Sequence, residues 1–309
     1  MKTRLPLVFA ILAGPVLAAP FAYVPNEKSA TVSVIDTATD QRSADLPLGH
    51  RPRGVASDGT TLYLTDAKDG SLLSVDARSG KVLRTTRLGD SPEGLALSAD
   101  GKLLAAAVED DNSVVLVDAA SGKVLERIKV DGRNPEHAVF SPDGRWLYVS
   151  AEEAEQVDVI DVAKRRQSGH VAVGKRPRGI AFLADGSRAY VACELAGKVF
   201  AIDVTSQKVI AEITAGQYPN GVAAHPDGRR VFVSNGRDGT VMAIDTASNA
   251  VVATIQVGKR PWNMALTPDG RKLYVANGRS NSVSVIDTGS YKKLDDIEVG
   301  ELPWGVSIR

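Results

Sequence analysis

Between Gly221 and Gln256 the apolar residues fall into four short runs separated by polar turns. Val222-Ala223-Ala224 leads to Pro226-Asp227-Gly228, and Val231-Phe232-Val233 returns from that turn. Val241-Met242-Ala243-Ile244 ends on Asp245, and Val251 to Ile255 completes the unit. Runs this short, alternating or continuously β-branched, predict strands, because a helical solenoid would space its apolar residues three and four apart. Asp-Gly predicts a tight hairpin, since glycine accepts the positive φ that such a turn needs. The aspartate closing the third run predicts an Asx-type turn, its carboxylate accepting the backbone N–H groups that follow. Four antiparallel strands in about 42 residues is the size of one propeller blade.

The unit recurs along the chain. Proline returns at Pro52, Pro92, Pro135, Pro177, Pro219, Pro261 and Pro303, each with a glycine three residues before it. Aspartate ends a β-branched run at Asp36, Asp76, Asp118, Asp161, Asp203, Asp245 and Asp287, and Asp-Gly falls in register from Asp58-Gly59 to Asp269-Gly270. These columns predict an all-β, seven-bladed β-propeller with four antiparallel strands per blade. Phe21 to Val24 aligns with a second strand, and Gly305 to Arg309 aligns with a first strand. The ring is therefore expected to close by a three-plus-one latch between the two ends, which pairs what would otherwise be open edges.

A length of 309 residues would ordinarily suggest two domains, but one shared period makes residues 19–309 a single propeller domain. Met1 to Ala18 carries Lys2 and Arg4, then an apolar stretch from Leu5 to Leu17, with Val16-Leu17-Ala18 before Ala19. That segment predicts a signal peptide over residues 1–18, a periplasmic or secreted mature protein and no membrane span after cleavage. The 37 basic residues balance 37 acidic ones, so no nucleic-acid partner is expected, because counterion release needs excess cationic charge. One cysteine, Cys193, excludes a disulfide framework, a thiolate metal cage and a c-type haem motif. Near a strand end it reads as a buried free thiol. No phosphate loop or nucleophile elbow occurs, and no catalytic residue is assigned.

In a propeller, the loops leading into the innermost strands and those joining second to third strands ring one end of the central channel. The residue after each repeat proline runs Arg53, Glu93, Glu136, Arg178, Asn220, Trp262, Trp304, as varied as the proline column is constant. The next column is glycine except at His137 and Asn263. These nine are the candidate ligand-binding residues: an asymmetric polar pocket with two tryptophan walls, holding a small anion through Arg53 and Arg178. A guanidinium suits that task because its planar fork bonds both carboxylate oxygens. More simply, the same charges would pair between neighbouring blades, Arg53 with Glu93 and Glu136 with Arg178. The second-to-third loop column reads Glu27, Ala67, Glu109, Glu152, Glu194, Gly236, Gly278. Glu109, Glu152 and Glu194 are weak candidates for a hard cation and read more simply as a solvated acidic face. His225, in a hairpin turn at the opposite end, and His170 read as surface residues, and Trp146 as a packing residue.

Leu273-Tyr274-Val275-Ala276-Asn277, Val283-Ser284-Val285-Ile286-Asp287 and Val257-Gly258-Lys259-Arg260-Pro261 resemble the YVTN-type β-propeller repeat. With the amino-terminal segment and the ending Glu301-Leu302-Pro303-Trp304-Gly305-Val306, the chain resembles the PQQ-dependent catabolism-associated β-propeller proteins over its mature length. The resemblance implies an accessory or ligand- or partner-binding protein of a quinoprotein oxidation pathway. It implies PQQ or a periplasmic quinoprotein dehydrogenase as the thing bound; the residues alone name no cofactor. The three carboxylates of PQQ would meet the basic loops at Arg51, Arg53, Arg176 and Arg178. Two alternatives stand beside this: a metal-dependent hydrolase or lactonase-like propeller enzyme, with a divalent ion at the mouth, and an interaction scaffold or nucleic-acid-binding propeller.

Overall fold

The computed structural model describes residues 20–309, so the expected signal peptide over residues 1–18 lies outside the described residues. Among the described residues the chain forms seven four-stranded antiparallel sheets and no helix. Blades two to seven are uninterrupted meanders over residues 52–87, 92–129, 135–172, 177–214, 219–256 and 261–298. Blade one takes Ser307–Ile308 as its innermost strand, followed outward by Phe21–Asn26, Thr31–Asp36 and Gln41–Pro47. This is the three-plus-one latch. Its innermost strand is shorter than the segment from Gly305 to Arg309; the chain just before that segment is held by a bridge between Asn26 and Pro303 and by the Trp304 N–H on Pro25 O at 2.9 Å.

The turns follow from local chemistry. Glycines of the Asp-Gly turns sit at φ between 69° and 94°, where a side chain would be strained. The carboxylates of Asp76, Asp118, Asp203 and Asp287 each accept the N–H of the serine three residues on at 2.7 Å. The hydroxyl of that serine bonds the same oxygen and, with the amide, holds each aspartate below the usual carboxylate range.

Seven apolar clusters fill the seven blade–blade interfaces. The cluster that closes the ring joins Ala22, Val24, Ile35 and Val306 of blade one to Tyr274, Ala276 and Val285 of blade seven. Middle strands are sandwiched between two neighbours, so Arg188–Cys193 is buried at all but its first residue. This is why these runs read as continuously apolar rather than alternating. Outer strands such as Lys208–Thr214 are exposed at alternate positions.

Cys193 is fully buried and burial pushes its thiol up to about 12. His170 is exposed, and the Trp146 ring packs on the cluster between blades four and five with the Arg145 guanidinium 4.7 Å above it. His225 is not a surface residue: the hairpin of blade six packs against that of blade seven, and its Nε2 lies 3.0 Å from Gly270 O.

Candidate ligand site at the channel mouth

Each complete innermost strand starts with a bulge. In blade two Pro52 pairs with Asp66, and the next pair is Val55 with Leu64; blades three to seven repeat this shift. The bulge leaves the residue after proline and its glycine-column neighbour outside the ladder, and a bulge re-aims the side chains it carries. Glycine follows because neighbouring strands touch through backbone: a Cβ on Gly54 would lie 2.4 Å from Glu93 O, and on Gly221 2.4 Å from Trp262 O.

A second repeated contact brings the glutamate column alongside. The carbonyl before each proline accepts the N–H of that column: Asn134 from Glu152 at 3.0 Å, Arg176 from Glu194 at 2.8 Å, Leu302 from Glu27 at 3.0 Å. To present these carbonyls, Arg176 (φ 59°) and Arg260 (φ 54°) adopt left-handed backbone, at a cost on the order of 1 kcal/mol each.

All seven residues that follow the repeat prolines line one cup of about 360 Å³, together with Asn263. His137 is not in the cup. It lies beneath, in a cavity of about 150 Å³ to which Asn263 and Trp304 also belong. Its ring stacks on Trp304 at 5.3 Å and 15°, and Asn263 Nδ2 donates to Trp304 O at 3.2 Å. The two departures from the glycine column therefore build the floor of the cup. Burial lowers the His137 pKa and so favours the neutral ring.

The arginines of the cup are all engaged by carboxylates. Arg178 Nη1 bonds Glu136 at 2.8 Å and meets Glu152, while its Nε bonds Glu194 at 2.9 Å. Arg176 Nε reaches Glu152 at 3.3 Å and Glu194 at 3.2 Å, and Arg260 Nη2 bonds Glu194 at 2.6 Å. Across the cup, Arg53 pairs with Glu93 and lies 3.2 Å from Glu27, which Arg51 also holds at 2.7 Å. Glu109 has only Asn134 Nδ2 at 3.3 Å and Ser91 Oγ at 3.4 Å.

Burial and the neighbouring Glu136 carboxylate raise Glu152 to about 7, and the same two causes raise Glu109. At Glu136 burial is the largest influence and favours the neutral acid, but the Arg178 guanidinium, together with the smaller effects of His137, Arg53 and the Glu152 hydrogen bond, outweighs it and keeps that carboxyl below its ordinary value. Adjacent acids pushed apart in this way leave one ionised and the other protonated near neutrality. Five arginines face six glutamates when Glu194 is included, so one proton at Glu152 makes the site electrically neutral.

One reading is met and two expectations change. Arg53 pairs with Glu93 and Arg178 with Glu136, the simpler reading of these charges, so neither guanidinium is an open anion-binding group. Glu152 and Glu194 are not part of a solvated acidic face, their side chains being 8% and 3% exposed, while Glu109 is half-buried. Arg176 and Arg178 stand between Glu152 and Glu194, where a cation would have to sit. The one carboxylate–histidine trio within ligand distance among the described residues is His50, Asp66 and Asp69. There Asp66 accepts the N–H groups of His50 at 2.7 Å and Arg51 at 3.0 Å and so serves as a loop staple. Glu27 and Arg260, which the sequence does not single out as site residues, belong to the cup. The signal for Glu27 was present in the second-to-third loop column, whereas Arg260, the residue before Pro261, falls in neither column.

A model of the YNCE-like β-propeller family matches residues 54–230. The chain belongs to the YNCE-like β-propeller family. A model described as lactonase, seven-bladed β-propeller, also matches this YNCE-like chain over residues 161–301. Hydrazine synthase of Kuenenia stuttgartiensis superposes with a TM-score of 0.79 at 22% identity, covering 92% of this chain and 99% of that one. A functionally unknown protein of Desulfotomaculum acetoxidans DSM 771 superposes with a TM-score of 0.82 at 17% identity, covering 93% and 98%. At these identities the likeness to the YNCE-like chain is one of fold. No curated protein matches it in sequence.

Proposed function

We propose that the channel mouth binds a small polar ligand, and that the protein is a ligand- or partner-binding accessory component of a PQQ-dependent oxidation pathway outside the cytoplasm. One observation carries the first half: the column after the repeat prolines, which varies from blade to blade, converges as a whole on one floored cup. Repeated residues build the ring, so the positions free to differ are where recognition can be written. The resemblance to PQQ-associated propellers supports the second half.

The charge network shapes what binding must look like. A ligand carboxylate reaching Arg178 takes the place of Glu152, which then holds its proton. PQQ binding is therefore coupled to proton uptake, and its affinity rises as pH falls from 8 to 6. Calorimetric titration in two buffers of different ionisation heat measures both quantities. Absence of binding both to PQQ up to millimolar concentration and to a quinoprotein dehydrogenase would remove the pathway reading and leave the cup open to other ligands.

A second reading, a lactonase-like hydrolase, is favoured by the seven-bladed lactonase match and by Glu152, a carboxyl poised near neutrality beside a guanidinium. A group with such a pKa suits general acid–base catalysis, with a contribution of about 10²- to 10⁴-fold. Glu152→Gln should then remove lactone hydrolysis while leaving the fold intact; a lactone panel with no turnover rejects this reading.

A further inference from the structure

Beside the cup, and joined to it through Arg176 and Arg260, a second cavity of about 860 Å³ crosses blades six and seven. Its charge differs from that of the cup. Arg237, Lys259 and Arg279 line it, and among the described residues none has a carboxylate within 4.0 Å, whereas every arginine of the cup has one. Of the two acids in this groove, Glu194 is occupied by Arg178 and Arg260, and Asp238 accepts the Gln217 N–H at 2.7 Å.

The difference comes from the repeat itself. Where the second-to-third loop column is Glu27, Glu152 or Glu194, neighbouring guanidinium groups are neutralised. In blades six and seven the column becomes Gly236 and Gly278, each followed by arginine. Two carboxylates are lost and two cations remain. The Trp262 ring fills the space over Gly278, where a Cβ would come within 2.6 Å of it. Backbone bonds fix these loops, Arg237 N on Gln217 O and Arg279 N on Lys259 O at 3.1 Å each, and leave the cationic ends free. The Tyr218 ring carries the Arg237 and Arg260 guanidinium groups at 5.6 and 5.4 Å from its centre, which orients both along the groove.

We propose that this groove is an anion-recognition site for a small organic anion bearing at least two carboxylate or phosphate groups. The anionic groups sit on Arg237, Lys259 and Arg279, and the body of the ligand extends over Arg260 toward the cup. The proposal rests on the mouth being a binding site and deepens it, moving anion recognition from the paired arginines of the cup to the unpaired cations beside them.

Calorimetry with benzene-1,2,4,5-tetracarboxylate and with inorganic pyrophosphate tests this against two variants of the full chain. One is Arg237→Gln/Lys259→Gln/Arg279→Gln, all exposed positions; the other is Asn220→Ala in the cup. Losing a charge-assisted bond weakens binding by about tenfold or more. At least one of the two probes should bind the wild type, and the triple variant should weaken that binding at least 30-fold with an unchanged melting temperature, roughly tenfold per cation less screening. Equal affinity in wild type and triple variant overturns the groove. Loss in Asn220→Ala alone overturns it too, while sustaining the cup as the binding site. No binding of either probe to the wild type overturns the groove; PQQ binding that persists in the triple variant and is lost in Asn220→Ala then sustains the cup.

Discussion

Replacing Arg178 by methionine keeps most of the side-chain volume and removes the one charge that three carboxylates share. The three do not suffer equally. Glu194 retains Arg260 at 2.6 Å and Glu152 retains Arg176 at 3.3 Å, but Glu136 keeps no cation within 4.0 Å. Its side chain is 10% exposed, so the variant strands a buried carboxylate, for which breaking a buried pair costs about 3–5 kcal/mol. The sign with pH follows. In the wild type Glu136 has a folded-state pKa below its unfolded value, so its contribution is present above the unfolded value and fades as pH falls. In Arg178→Met the stranded group has its pKa raised, and the penalty is greatest when it is forced to ionise. At roughly 2–4 °C per kcal/mol for a domain of this order, thermal melts should show a loss of about 10 °C at pH 8 and under half that at pH 5. Adding Glu136→Gln should recover most of the loss at pH 8. A deficit equal at both pH values, or untouched by Glu136→Gln, would refute the assignment of Arg178 as the counter-charge of a buried acid cluster.

Glu152 makes a contribution of opposite sign. Its folded-state value of about 7 lies above its ordinary 4.5, so the stability it adds is complete below the lower value and lost as pH rises through the upper one. The melting temperature of Glu152→Gln should accordingly decline less than that of the wild type between pH 5 and 8; parallel curves would contradict this. Gly221→Ala places a Cβ 2.4 Å from Trp262 O and 2.8 Å from Asn263 Cα, both main-chain atoms that no rotamer change can clear. Urea unfolding should show it destabilised by about 1–3 kcal/mol, and an unaltered midpoint would mean the strands are not in backbone contact. Cys193, buried with its thiol held at about 12, should react with a thiol reagent at pH 8 only at the rate of unfolding; prompt labelling of the native protein would place it at the surface.

The ring was legible because proline, glycine and aspartate columns report local needs that every blade shares: a lead-in bulge, a hairpin and an Asx turn. The latch was legible for the same reason, as Phe21 to Val24 and Gly305 to Arg309 complete one unit between them. The varied column after proline pointed to the mouth without showing why; the cause is the bulge at Pro52–Val55 and its equivalents, which leaves no trace in apolar periodicity. Burial of the glutamate column was hidden because Glu194 sits in a loop, where carboxylates are usually solvated, and it is the Arg176 carbonyl bond and the guanidinium groups of Arg178 and Arg260 that hold it inward. His225 misled similarly: a hairpin histidine looks exposed until the neighbouring blade's Gly270 is placed against it.

The three tryptophans of the chain divide the molecule conveniently, Trp262 and Trp304 lining the cup and Trp146 packing between blades four and five. Titration of ¹⁵N-labelled protein with PQQ, following the three indole N–H resonances, tests the mouth as the binding site most directly. The Trp262 and Trp304 signals should move together and saturate with one dissociation constant while Trp146 stays fixed. Saturable binding that leaves both cup indoles unmoved would place the ligand elsewhere and contradict the account.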